Sequence, residues 1–158
     1  MRRRHPDLPT AWLLTDERQG ERLWAALRRL PRGSGVIVRH HSLAPVQRRR
    51  LLRRVRQLTA GRQISVLDDQ RQPIARVHNV RELRRALLRG PRLLFVSPLF
   101  KTRTHPGWHP LPRMRAATLA RLGRQPVLAL GGMNAPRFRQ IELLGFAGYG
   151  AIDGWLRT

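Results

Sequence analysis

A chain of 158 residues, 41% of them hydrophobic, is long enough for one domain with a core and too short for two ordinary ones. It has no cysteine, which excludes disulfides and thiolate metal sites and leads us to expect a cytoplasmic protein. Its 32 lysines and arginines against 9 acids, a formal charge of +23, will attract polyanions.

No apolar run reaches the ~18 residues of a membrane span, so no membrane partner is expected. The start Met1-Arg2-Arg3-Arg4-His5-Pro6 is basic, but no apolar signal core of about 7 to 15 residues follows it. Residues 1–8 read as a basic arm and 9–158 as a single domain. The arginines at Arg28-Arg29, Arg48-Arg49-Arg50, Arg53-Arg54, Arg84-Arg85 and Arg115 are spread over helix faces and not gathered in one stripe, so they read as solvated surface cations. No recognition helix or aromatic stacking platform accompanies them, so nucleic-acid contact is expected to be non-specific at most.

In chain order, short apolar runs alternate with amphipathic stretches, the pattern of parallel strands joined by crossover helices. Strands are expected at Ala11 to Asp16, Gly35 to Arg39, Gln63 to Leu67, Ala75 to Asn79, Leu93 to Ser97, Val127 to Gly131 and Tyr149 to Ile152. Helices are expected at Gly20 to Leu30, Pro45 to Leu58, Val80 to Arg89, Arg113 to Leu122 and Pro136 to Leu144. Leu23, Leu27 and Leu30, and likewise Leu83 and Leu87, recur at helical spacing. Asn79 and Asn134 stand near helix starts, and Gly90, Gly123 and Gly145 stand just past helix ends.

One stretch breaks this rhythm. Between Asp68-Asp69 and Ile74 lie only Gln70-Arg71-Gln72-Pro73, whereas a parallel return needs a crossover of roughly a dozen residues. Either the two segments form an antiparallel hairpin or one of them is not a strand. Both outcomes depart from a regular (β/α) barrel, as does a length below that fold's usual ~200 residues.

Two later segments carry the chemistry. In Leu93 to Gly107 a buried strand runs through Ser97-Pro98 into the hydroxyls and cations of Lys101-Thr102-Arg103-Thr104-His105. In Pro126 to Asn134 a second strand ends in Gly131-Gly132, whose backbone can approach an anion closely. That glycine pair either presents N–H groups to a phosphate or only makes a turn. Arg39, at the end of the second strand, offers a guanidinium fork to phosphate. His78, with an ordinary pKa near 6.5, is either an acid or base at a barrel mouth or a histidine satisfied by a neighbour. Of His40 and His41, adjacent on extended backbone, at most one can face the site. Asp68 and Asp69 suit either a metal or a turn, and Asp153 reads as a structural cap. Trp108 either packs at the rim or covers an aromatic substrate.

In order along the chain, these landmarks resemble the thiamine phosphate synthases and the TenI-like proteins. Leu13-Leu14-Thr15-Asp16 is similar to the family's first strand, Val36-Ile37-Val38-Arg39-His40-His41 to its second and Val66-Leu67-Asp68-Asp69 to its third. Arg76-Val77-His78-Asn79 resembles its Ser-x-His element, and Phe95 to Thr104 its Gly-Pro-x-Phe-Pro-Thr-x-Thr loop. Leu130-Gly131-Gly132-Met133-Asn134 resembles its Gly-Gly-Ile turn, and Gly150-Ala151-Ile152 the end of its last strand. The resemblance implies an α/β fold: a TIM-type (β/α) barrel, truncated or distorted and lacking about one strand-helix unit in the middle.

It also implies an enzyme of thiamine biosynthesis. Such an enzyme joins hydroxymethylpyrimidine diphosphate to thiazole phosphate and releases pyrophosphate. Alternatives are a TenI-like thiazole tautomerase and a non-catalytic remnant that binds a phosphorylated ligand. By this resemblance Arg39, His41, Thr102, Thr104, His105, Gly131, Gly132 and Ala151 contact phosphate or pyrophosphate, His78 is the acid or base, and Asp68 touches Mg2+. Departures are visible at Arg76, Lys101 and His105, where the family has serine, proline and lysine. A second metal carboxylate and a Gly-x-His-Leu strand fall in the missing stretch after Asp69, which weakens the expected Mg2+ site. The same gap would expose sheet edges, so a homo-oligomer is expected.

Overall fold

The computed structural model describes residues 8–103 and 105–156, so all of the basic arm except Leu8 lies outside the described residues, as does Thr104. Seven strands form one sheet: β1 (Ala11–Leu14), β2 (Gly35–Val38), β3 (Ser65–Asp68), β4 (Ile74–Val77), β5 (Leu93–Val96), β6 (Val127–Ala129) and β7 (Gly148–Ala151). Helices follow all but β3 and β7: α1 (Arg22–Arg29), α2 (Pro45–Thr59), α3 (Val80–Arg89), α4 (Arg113–Leu122) and α5 (Ala135–Ile141). Short 3-10 turns at Glu17–Gln19, Glu142–Leu144 and Asp153–Trp155 complete the described elements. The strand order is β3-β2-β1-β7-β6-β5-β4 and every pairing is parallel.

Alternation along the strands sorts the apolar side chains into three clusters. Trp12, Leu14, Ile37, Leu67, Leu93, Phe95, Leu128 and Leu130 pack together without any helical partner. Their neighbours in sequence point the other way. Leu13, Val36 and Val38 meet α1 and α2, while Leu94, Val96, Val127 and Ala129 meet α3, α4 and α5. A sheet with helices on one face only, whose other face packs on itself, must curl. The result is a curled half-barrel of the truncated TIM type. Trp12 and Phe95 fill its interior at 1% and 0% exposure, where truncation of either to alanine costs about 3–5 kcal/mol.

Helix boundaries follow local chemistry. The Asn79 side chain accepts from the Glu82 N–H at 2.9 Å to start α3, and the Asn134 side chain accepts from the Arg137 N–H at 2.9 Å to start α5. Gly90 ends α3 in the left-handed conformation, φ +59°. In α1, Leu23, Ala26, Leu27 and the following Leu30 form the buried stripe.

Neither the hairpin nor the loss of a strand is found at Asp68 to Ile74. Both segments are strands, they do not pair with each other, and they stand at opposite edges of the sheet. Five residues, 69–73, link them. The link turns back at once, with the Arg71 and Gln72 N–H groups donating to the Asp68 carbonyl at 3.0 and 2.9 Å. It then reaches the level at which β5 begins, where the Pro73 carbonyl accepts from the Arg92 N–H at 2.7 Å.

Arg48 also departs from the sequence reading. It shares the inner face of α2 with Leu52, Val55 and Thr59 and is 4% exposed, so it is no solvated surface cation. Its guanidinium donates to the His40 carbonyl at 2.6 Å, the Val38 carbonyl at 2.9 Å, Asp68 Oδ1 at 2.5 Å and Asp69 Oδ1 at 3.1 Å. These bonds tie the ends of β2 and β3 to α2. Removing one partner of such a buried pair leaves the other charge uncompensated, at a cost of about 3–5 kcal/mol. Arg48→Met is therefore expected to lower the unfolding free energy in urea by about 3 kcal/mol, while Arg49→Met, on the exposed face, changes it by under about 0.5 kcal/mol. Equal losses in the two variants would contradict this role for Arg48.

Candidate functional site

The C-terminal ends of the strands surround a cavity of about 460 Å3. Among the described residues its wall carries six cationic side chains, Arg22, Arg39, Arg76, Lys101, Arg103 and Arg137, against one carboxylate, Asp153. Arg39 follows Ile37 by two residues, and Ile37 belongs to the inner cluster, so the period of the strand aims Arg39 inward. Its N–H donates to Thr15 Oγ1 at 3.0 Å, and Thr15 is fully buried, which fixes the backbone at that point. Nη1 of Arg39 is buried and has no hydrogen-bond partner among the described residues. Arg76 follows the inward Ile74 in the same way and reaches the same cavity. Although part of its surface opens into the cavity, the surrounding protein strips enough water from it to lower its pKa, and Arg39 lowers it further.

The loop after β5 forms the opposite wall. It runs beside the end of β6, with the Leu99 and Phe100 N–H groups donating to the carbonyls of Leu130 and Gly131 at 3.0 and 3.1 Å. Here the glycine pair is a packing requirement. Gly131 and Gly132 have φ of +94° and +61°, and a Cβ on them would lie 2.7 Å from Pro98 Cα and 2.4 Å from the Lys101 carbonyl oxygen. Arg137 donates to the Gly132 carbonyl and lies 5.1 Å from the Phe100 ring centroid. Further along, His105 stacks on Trp108 with centroids 4.6 Å apart, and the His78 ring stands nearly perpendicular to that of Trp108 with centroids 5.0 Å apart.

Of the residues singled out in the sequence, Arg39, Thr102, His105, Gly131, Gly132 and Ala151 are brought together at this cavity. Thr104 lies outside the described residues. His41 is exposed, with Nε2 3.0 Å from Asp69 Oδ2, and His40 is buried against Thr15 Oγ1 at 2.9 Å; neither is in the cavity lining. His78 is not in the lining either. Its Nδ1 lies 2.6 Å from the Ser97 carbonyl, an acceptor, so Nδ1 carries the proton and donates. Asp68 points outward, beside Arg48.

Arg76, Arg137 and Arg22 were missed as site residues. For Arg76 the signal was available, because alternation from Ile74 places it on the inner face.

The donor set does not fit Mg2+. Asp68 Oδ1 already accepts from Arg48 and from the Gln70 N–H at 3.1 Å, and among the described residues no three His, Asp or Glu side chains converge. The cavity's one carboxylate faces six cations. Such a wall suits an anion directly.

The architecture is that of the thiamine phosphate synthase fold. Among solved structures, the chain is similar to thiamine phosphate pyrophosphorylase from Pyrococcus furiosus, with a TM-score of 0.73 over 93% of this chain and 86% of that one, at 17% identity. No protein-family model matches the chain, and no curated protein does. The likeness is one of fold. No helix among the described residues is long and apolar enough to cross a membrane.

His40 makes the framework of the site sensitive to pH. Burial lowers its pKa; Glu17 and Asp16 oppose that shift, and Arg48 and Arg39 reinforce it. With the folded value below the ordinary 6.5, the unfolded chain takes up the proton first as pH falls. Stability is therefore full above about pH 6.5 and is lost below it. The thermal midpoint is expected to fall between about pH 7 and pH 5, and to fall less steeply in His40→Gln. Parallel curves for the two proteins would show that His40 is not the group responsible.

Proposed function

We propose that this chain is an enzyme of the thiamine phosphate synthase type, joining hydroxymethylpyrimidine diphosphate to thiazole phosphate and releasing pyrophosphate. The supporting observation is the cavity wall, with six cations against one carboxylate at the C-terminal ends of the strands, where a (β/α) fold places its site. In this reaction the thiazole nitrogen forms a C–N bond to the pyrimidine methylene carbon. The methylene C–O bond breaks, and its electron pair leaves with pyrophosphate. Negative charge grows on the leaving group through that step, so cations fixed around it favour the transition state over the bound substrate. Trp108, 43% exposed beside His105, offers an aromatic face for a heterocycle.

Proton transfer by His78, as in a TenI-like tautomerase, draws less support. That histidine is absent from the cavity lining and spends its Nδ1 proton on the Ser97 carbonyl. The test is to incubate the purified protein with both substrates and measure thiamine phosphate. Product is expected, with kcat/KM reduced about 100-fold or more in Arg39→Ala. Undiminished turnover in that variant would move the site elsewhere, and no product under any condition would leave binding without catalysis as the reading of the same cavity.

A further inference from the structure

We propose that Arg39 and Arg76 form a guanidinium clamp that takes a diphosphate group directly, without a divalent metal ion. The inference rests on the cavity being a phosphate site and is independent of whether the transfer reaction occurs.

Three observations carry it. First, Arg39 lines the cavity and its Nη1 is buried with no hydrogen-bond partner among the described residues, an arrangement that costs folding free energy and that an acceptor reaching that nitrogen would relieve. Second, Arg76 projects from β4 into the same cavity and feels the charge of Arg39, with burial and that neighbour both acting against its protonated form. Both arginines line the cavity, where Asp153 is the one carboxylate among the described lining residues; Asp16, outside that lining, is paired with Arg18 and also feels the charge of Arg39. Third, the acid that the resemblance assigned to a metal is spent, because Asp68 lies on the outer face of the sheet in an ion pair with Arg48. A diphosphate matches what remains. It offers paired oxygens to two planar forks and more negative charge than a single phosphate.

Position in the fold supports the assignment. The seam left by the five-residue link is bordered on its two sides by β3 and β4; Arg76 lies on β4 and Arg39 follows β2, the strand next to β3, so both belong to the strands nearest the opening. On a closed barrel, a strand between β3 and β4 would separate these sides.

The test is isothermal titration of the full chain with pyrophosphate in EDTA and again in Mg2+, with inorganic phosphate as the comparison ligand. Pyrophosphate is expected to bind in EDTA at least as tightly as in Mg2+, and about tenfold or more tighter than phosphate. Arg76→Ser is expected to weaken pyrophosphate about tenfold or more while leaving the thermal midpoint unchanged or higher, since it removes a repulsion; Arg76→Lys, which keeps the charge and loses the fork, falls between. Arg49→Ser removes the same charge from the outer face of α2 and is expected to leave affinity within about twofold. Binding that requires Mg2+, or equal weakening by Arg76→Ser and Arg49→Ser, overturns the clamp. Turnover with Mg2+ but no binding in EDTA would sink the clamp alone, whereas binding in EDTA without turnover would sink the transfer reaction alone.

Discussion

Five residues between β3 and β4 are too few for a crossover, and much of this molecule follows from that shortage. A parallel barrel closes by hydrogen-bonding each strand to the next, so a link that cannot carry a helix or reach a neighbouring position leaves two strands at open edges. The sheet still curls, because its inner face has no helix to pack against and must bury Trp12, Ile37, Phe95 and Leu128 against one another. Curling brings the two edges round toward each other without joining them. Edge strands carry their own protection, and here it is charge: Asp68 on β3, held by Arg48, and Arg76 on β4.

The second constraint is the scarcity of acids. With 9 carboxylates for 32 lysines and arginines, most cations cannot have a salt-bridge partner. The protein satisfies several of them with main-chain oxygens. Arg62 donates to the carbonyls of Leu27, Leu30 and Leu58, which lie at the C-terminal ends of α1 and α2, where carbonyls lack helical partners and the helix dipole favours a cation. Arg48 does the same at the ends of β2, and Arg137 at Gly132. Two buried guanidinium nitrogens among the described residues keep no partner, Nε of Arg48, whose other nitrogens are bonded, and Nη1 of Arg39; of the two arginines, Arg39 lines the cavity.

Much of the fold was legible because most strands are apolar on both faces and the helices are not. Val80–Arg89 and Arg113–Leu122 have the bounds that periodicity and caps indicated, and the strands differ by a few residues at their ends. Arg48 was not legible. Its neighbours Arg49 and Arg50 are exposed, and a run of three arginines reads as one solvated face, although helical period places only the first in line with Leu52, Val55 and Thr59. The pairing of β3 and β4 was not legible either, since a short link between two apolar runs looks the same as a hairpin until the partners on their other sides are known. Site residues contributed by strands followed the two-residue period, which put Arg39 and Arg76 inside and Asp68 outside. Arg22 and Arg137, contributed by helices, carried no such signal.

The glycine pair shows why anion binding here has to be argued from side chains. Gly131 and Gly132 line the cavity, but the close approach of Pro98 and the Lys101 carbonyl already requires glycine at both positions. Their presence would be the same in a protein that bound nothing. Arg39 and Arg76 are different: Arg76 is exposed on an edge strand, and Arg39 gains no partner for its Nη1 among the described residues. A residue that folding leaves unsatisfied is one a ligand can satisfy, and among the described lining residues the cavity holds one such buried atom, Nη1 of Arg39.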